Sequence, residues 1–241
     1  MRNRADIMGV LIDKGNLEDA LKRCVAFLGT QKCNIVITPN TEIVMEAQKD
    51  LALFKTINEA DLVIPDGIGL IYASKIRGKG LEERVTGVDL MHKILKHCND
   101  HKKSIYILGG KPGVAEAACK NIKEKFSMIG IKGFRDGYFK TEDEMKIIEN
   151  INACKPDILF LALGAPKQEL WMGKYKEKLQ VKLVMGVGGS VDIWAGTAKR
   201  APEIYQKLGL EWFYRLAKEP WRYKRMLALP KFMIKVLLCK Q

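Results

Sequence analysis

Five short apolar runs recur along this 241-residue chain, and each closes on Gly, Pro, Asn or Asp. They are CNIVITPN (33–40), DLVIPDG (61–67), SIYILGG (104–110), DILFLALG (157–164) and KLVMGVGG (182–189). Between them lie longer stretches with helical periodicity, including residues 41–58, 88–101 and 111–126. Strands that are apolar on every residue must be covered on both faces. Their alternation with helices therefore predicts an α/β fold with a mostly parallel sheet between two helical layers. Ligands of such sheets bind beyond the carboxyl ends of the strands, where the polar and glycine-rich residues of these runs collect.

The charge distribution divides the chain. Residues 196–241 carry 11 Lys/Arg against 3 Asp/Glu and 7 of the 19 aromatic residues, whereas residues 1–195 carry 30 basic against 25 acidic groups. We expect a catalytic-size α/β core over 1–195 and a basic, amphipathic, helical appendage over 196–241. Interleaved charge and aromatic side chains suit a surface that is anionic and partly apolar, such as a lipid headgroup layer or a lipid-linked phosphate. No run of 18 apolar residues occurs and the N-terminus lacks an apolar signal-type core, so neither a spanning helix nor a signal peptide is expected. Six cysteines without a CxxC pair and three clustered histidines do not form a zinc pattern; a cytoplasmic protein with reduced thiols is expected.

Strand-end residues supply the candidate site. Thr38 and Asn40 are placed to contact a ligand, and equally to cap the following helix. Pro65-Asp66-Gly67 reads as a turn, but it sets a carboxylate at the open end of a buried strand among small residues. Gly109 and Gly110 precede a helix with Pro112 near its start, and Gly186-Val187-Gly188-Gly189 forms a second such turn; both offer backbone N–H groups to a phosphate. Gln168 has an amide suited to sugar hydroxyls, while Glu169 beside it suits a helix N-terminus. Arg84, followed by Gly87 and Asp89 in an ordered loop, suits a diphosphate clamp. No Asp-x-Asp occurs, so a nucleotide-sugar enzyme built here would stabilise its leaving group with arginines and amides rather than with a carboxylate-held metal.

Taken in order, TPNTE, PDGIG, RVTGVD, ILGG, GAPKQE, GVGGSVD and RAPEIYQKLGLEWFYRLAKEPWRYKR resemble the WecG/TagA/CpsF family of bacterial glycosyltransferases from about residue 7 to residue 228. The resemblance implies a Rossmann-like core of the type called GT-E and an inverting, metal-independent transferase without a cofactor, peripheral on the cytoplasmic membrane face. It is greatest to the branch that moves N-acetylmannosamine from its UDP form to undecaprenyl-diphosphate-linked N-acetylglucosamine; a related branch uses N-acetylmannosaminuronic acid on the same acceptor. Carried over by motif, Asp66 is the general base, and Thr38, Asn40, Arg84 and Gln168 surround the sugar and base. Gly109, Gly110 and Gly188 line the nucleotide pocket with Tyr138, and Arg215, Arg222 and Arg225 hold a diphosphate. Val191 departs from the aromatic residue expected there.

The tail then reads as a flap. Ile204, Leu208, Trp212, Trp221 and FMIKVLL are expected to settle against lipid, or else to be the core of a C-terminal helical hairpin. An apolar tail face also makes a homo-oligomer expected. Nucleic acid is not expected as a partner, since no recognised binding module accompanies the charge. A dinucleotide-dependent oxidoreductase is disfavoured by Leu108 where the first fingerprint glycine should stand, and by Lys132-Gly133 where the ribose-binding acid should stand.

Overall fold

In the computed structural model, which describes residues 2–218, 220, 223 and 227–238 (without the side chain of Arg215), a six-stranded sheet forms the centre. Its strands are β3 (Asn34–Ile37), β4 (Leu62–Val63), β5 (Ser104–Gly109), β6 (Gly130–Arg135), β7 (Ile158–Ala162) and β8 (Leu183–Gly186). They run in the order β4-β3-β8-β7-β5-β6 with every pairing parallel.

The two-sided burial inferred from the apolar runs is visible residue by residue. Ile35, Ile37, Leu159, Leu161 and Val184 face one core, and Val36, Ile158, Phe160, Leu183 and Met185 face the other. This is the period of two that sends successive side chains to opposite faces of a strand. On the second face lie α1 (Leu17–Phe27), α5 (Gly87–Asp100), α6 (Val114–Lys125) and α9 (Ser190–Trp194). On the first lie α2 (Thr41–Ala47), α3 (Leu51–Glu59), α4 (Ile68–Ile76), α7 (Glu144–Cys154) and α8 (Lys167–Tyr175).

Three local features depart from the sequence expectation. The helix expected over 41–58 is two helices, because the Asp50 side chain accepts the Leu53 N–H (3.0 Å) and caps α3 afresh. An antiparallel hairpin, β1 (Arg4–Ile7) and β2 (Val10–Asp13), turns through Met8 and Gly9, both at positive φ, and packs on the first face. The edge strand β6 is half-exposed, and its Gly133 makes room for the Tyr106 ring, 2.6 Å from where a Cβ would stand.

The tail continues as α10 (Glu203–Lys207), α11 (Glu211–Lys218) and α12 (Ala228–Leu238). Phe232 and Val236 of α12 are buried in the first core, and α12 packs against α2 and α4. The expectation that FMIKVLL as a whole meets lipid is corrected accordingly: one face of this helix is core, and Ile234, Leu237 and Leu238 are exposed on the other. Arg77 of the segment after α4 donates to the Val236 carbonyl and fixes the contact. Arg222, Arg225 and Trp221 lie outside the described residues. Among the described residues, Cys24, Cys33, Cys98 and Cys119 are buried free thiols, each pushed up to about 12 by burial, and no helix is long and apolar enough to cross a membrane.

Candidate functional site

Chain direction decides where a cleft opens. After β3 the chain passes to α2 on the first face, and after β8 to α9 on the second, so the two strands part at their carboxyl ends. The same divergence separates β5, which leads to α6, from β7, which leads to α8. Such switch points leave a crevice outside the sheet.

At the first crevice the loops after β3 and β4 are tied together. The Asp66 N–H donates to the Pro39 carbonyl (3.2 Å), and the Gly67 backbone comes so near Asn40 that an added Cβ would stand 3.0 Å from the Asn40 Cβ. Asn40 caps α2, accepting the Ile43 N–H at 3.0 Å. Thr38 is buried below, donating to the Gly186 carbonyl of β8 at 3.3 Å. The half-buried Asp66 carboxylate accepts the Gly87 N–H (3.1 Å) at the start of α5, where a 14-residue helix presents its positive end to an anion. Val85 N–H donates to the Pro65 carbonyl (3.0 Å), which sets Arg84 beside this loop.

Asn40, Asp66 and Arg84 thus line one cleft of about 990 Å³, its open mouth included, together with Thr86 and Val88. The tail forms its opposite wall through Arg200, Gly209, Glu211, Trp212 and Leu229. Close packing holds that wall: an added Cβ would stand 2.6 Å from Leu229 at Gly69 and 2.8 Å from Ile68 at Gly209. Arg84 is ion-paired with Glu211, and Arg200 Nε lies 3.5 Å from the other Glu211 oxygen. Arg200 also makes a two-pronged contact with Asp89, at 2.5 and 2.7 Å. Burial raises the Asp89 pKa, but the hydrogen bonds from Arg200 and Thr86 and the arginine charges outweigh it and hold the carboxyl below its ordinary value. Arg200 is correspondingly shifted up, chiefly by Asp89.

The remaining expected residues sit nearer the other strand ends. Gly109 and Gly110 close β5 at φ +132° and +77°; an added Cβ at Gly109 would overlap the Ala162 carbonyl, so only glycine fits. Gly110 N–H donates to Ala162 (2.9 Å) and Gly137 N–H to Gly110 (2.9 Å), tying the ends of β5 and β7 to the loop that carries Tyr138, which is 69% exposed. Gln168 is only 4% exposed, and both ends of its amide are engaged: Oε1 accepts the Gly188 N–H (3.1 Å) and Nε2 donates to Glu169 (2.7 Å). It therefore fixes the β8 turn rather than lining the cleft. Arg215 belongs to α11, with its side chain outside the description.

Arg200, Asp89 and Glu211 were not singled out as site residues from sequence. Arg200 and Glu211 stand within a strongly basic amphipathic tail, where single charges read as solvated.

The family model of the Glycosyl transferase WecG/TagA/CpsF family matches residues 5–241. Among curated relatives, the N-acetylglucosaminyldiphosphoundecaprenol N-acetyl-beta-D-mannosaminyltransferase of Bacillus subtilis (strain 168) is 38% identical over 208 residues, 86% of this chain and 80% of that protein. The protein of the same description from Bacillus spizizenii is 36% identical over 211 residues, 88% of this chain and 81% of its own length. That from Staphylococcus aureus (strain MRSA252) is 33% identical over 240 residues, 99% of this chain and 94% of its own. With the match spanning the sheet, the Asp66 cleft and the tail that walls it, the chain belongs to the WecG/TagA/CpsF family of glycosyltransferases.

Proposed function

We propose that the protein moves N-acetylmannosamine from UDP-N-acetylmannosamine to the 4-hydroxyl of N-acetylglucosamine in undecaprenyl-diphosphate-N-acetylglucosamine, forming the linkage disaccharide of wall teichoic acid. The descriptions of its relatives support this sugar and this acceptor. The observation that carries the chemistry is the Asp66 carboxylate in a cleft that also holds Arg84 and Arg200. In a single inverting displacement, the acceptor oxygen bonds to the anomeric carbon as the bond from that carbon to the UDP phosphate oxygen breaks. The hydroxyl proton passes to Asp66, and the electron pair leaves on the diphosphate. Guanidinium groups and backbone N–H donors compensate that charge without a metal ion.

In this reading Arg84, with the tail's Arg215, Arg222 and Arg225, serves the diphosphates. Gly109, Gly110, Gly188 and Tyr138 serve the nucleotide, Thr38 and Asn40 shape the sugar side, and Gln168 acts there through the Gly188 turn that it fixes. Residues 196–241 act as an appendage that completes the site at the cytoplasmic leaflet, and self-association hides its apolar face away from lipid. Basic side chains near an anionic leaflet contribute on the order of 1 kcal/mol each, enough for reversible binding by a cluster of this size.

Turnover of UDP-N-acetylmannosamine with a short-chain lipid-diphosphate N-acetylglucosamine acceptor, measured in EDTA, tests the reading. The intact enzyme is expected to turn over, and Asp66→Asn to lose roughly 10²–10⁴-fold in kcat. Activity abolished by chelation would overturn the metal-free mechanism, and an unimpaired Asp66→Asn enzyme would remove the base from Asp66.

A further inference from the structure

The tail contributes a negative charge to a wall where the proposed chemistry calls for positive ones. Glu211, in the first turn of α11, is buried, with one carboxylate oxygen on Arg84 and the other 3.5 Å from Arg200. The Arg84 Nε is buried and has no hydrogen-bond partner, and the Arg200 Nε has only that 3.5 Å contact with Glu211. Two guanidinium groups converging on one carboxylate, with donor capacity left over, make a seat for an anion with more acceptor oxygens than a carboxylate has.

We propose that Arg84 and Arg200 form a diphosphate seat that Glu211 occupies in the empty enzyme, so that a substrate diphosphate and helix α11 compete for the same two arginines. The inference rests on the glycosyltransferase reading for its ligand class and adds Arg200 and Glu211 to the site. Asp89 is the positioning residue. Its two-pronged contact holds Arg200 toward the cleft, and its own carboxylate is held by the Thr86 hydroxyl at 2.5 Å. Replacing Glu211 by a diphosphate exchanges one acceptor group for two. It also releases the Glu211 end of α11, which shares the cleft wall with Trp212 and Leu229. Ligand binding and the Glu211 contacts of α11 are thereby linked with opposite sign: affinity is reduced by the fraction of molecules whose seat is closed.

The diphosphate could belong to the nucleotide donor or to the lipid acceptor. Titrations with UDP and with farnesyl diphosphate, followed by tryptophan fluorescence, separate the two. Glu211→Gln is expected to bind at least one of them about tenfold more tightly than the intact protein, a coupling of ordinary size. The gain should vanish in the Glu211→Gln/Arg200→Gln double variant. The ligand that shows the gain identifies the source. Unchanged or weaker binding of both ligands by a folded Glu211→Gln variant overturns the proposal, since a purely structural Glu211 would leave the seat worse when removed.

Where Glu211→Gln does not fold, hydrogen exchange on the intact protein decides. Faster exchange at 211–218 on adding either ligand upholds the competition, and unchanged or slower exchange overturns it. These are binding measurements. They stand if the enzyme proves to use another sugar, and they fail independently of whether N-acetylmannosamine is transferred.

Discussion

Two buried carboxylates show how differently this fold treats the same functional group. Asp13 accepts from Arg2 and Arg23 and from the Val63 N–H at 2.8 Å; burial raises its pKa, but these partners outweigh burial and hold it below its ordinary value. Its stabilising contribution is therefore complete above the unfolded carboxylate value of about 3.9 and is lost as pH falls through the lower native value. Asp13→Asn is expected to cost about 2 kcal/mol in urea unfolding at pH 7, with the deficit shrinking below about pH 4. Glu169 is the reverse case. It is fully buried, burial raises its pKa, and its Oε2 has no partner. Its folded form favours the proton, so stability is lost as pH rises through the native value. Glu169→Gln should raise stability by on the order of 1 kcal/mol at pH 8 and by less at pH 5; equal melting shifts at the two pH values would contradict this. Asp66 was legible as a candidate from its place at the open end of a buried strand, and Arg84, in the loop between α4 and α5, from the Gly87 and Asp89 that follow it. Glu211 was not, because its partner Arg84 lies 127 residues away and no local pattern joins them.

Among the elements, the five apolar runs all became strands of one sheet, because residues buried on both faces leave the strongest mark a sequence can carry. The edge strand β6 left a weak mark for the same reason: only one of its sides pairs, and GIKGFR alternates between half-buried and exposed. The β1–β2 hairpin was invisible because Met8 holds a positive-φ position that a Gly or Asn ordinarily announces. The glycine ending β5 carries the sharpest backbone demand. Gly109→Ala combines φ +132° with overlap of the Ala162 carbonyl, and it is expected to cost at least about 3 kcal/mol in thermal or chemical unfolding. A melting curve within a degree or two of the parent's would show that the strand end can move aside.

For the whole molecule, the tail does two things at once. It walls the cleft through Arg200, Glu211 and Trp212, and it returns to the core through Phe232 and Val236. Cutting at residue 196 therefore removes core as well as surface, and a truncated protein would confound the proposed membrane contact with folding. Point changes separate them. Ile204 and Leu208 are 63% and 60% exposed on and beside α10. The double change Ile204→Ser/Leu208→Ser is expected to reduce sedimentation with anionic vesicles several-fold while leaving the melting temperature within about a degree, as surface substitutions usually do. Undiminished vesicle binding would move the contact elsewhere on the tail.

The place where α12 docks has a mechanical consequence. It lies across α2 and α4, which begin one residue after Asn40 and two residues after Asp66. A pull on the last turn of α12 is one layer of side chains away from both cleft loops. A tag, tether or bilayer that loads the carboxyl end would thus act as a throttle on turnover, whereas the same load on an outer surface helix such as α7 would have no comparable path to the cleft.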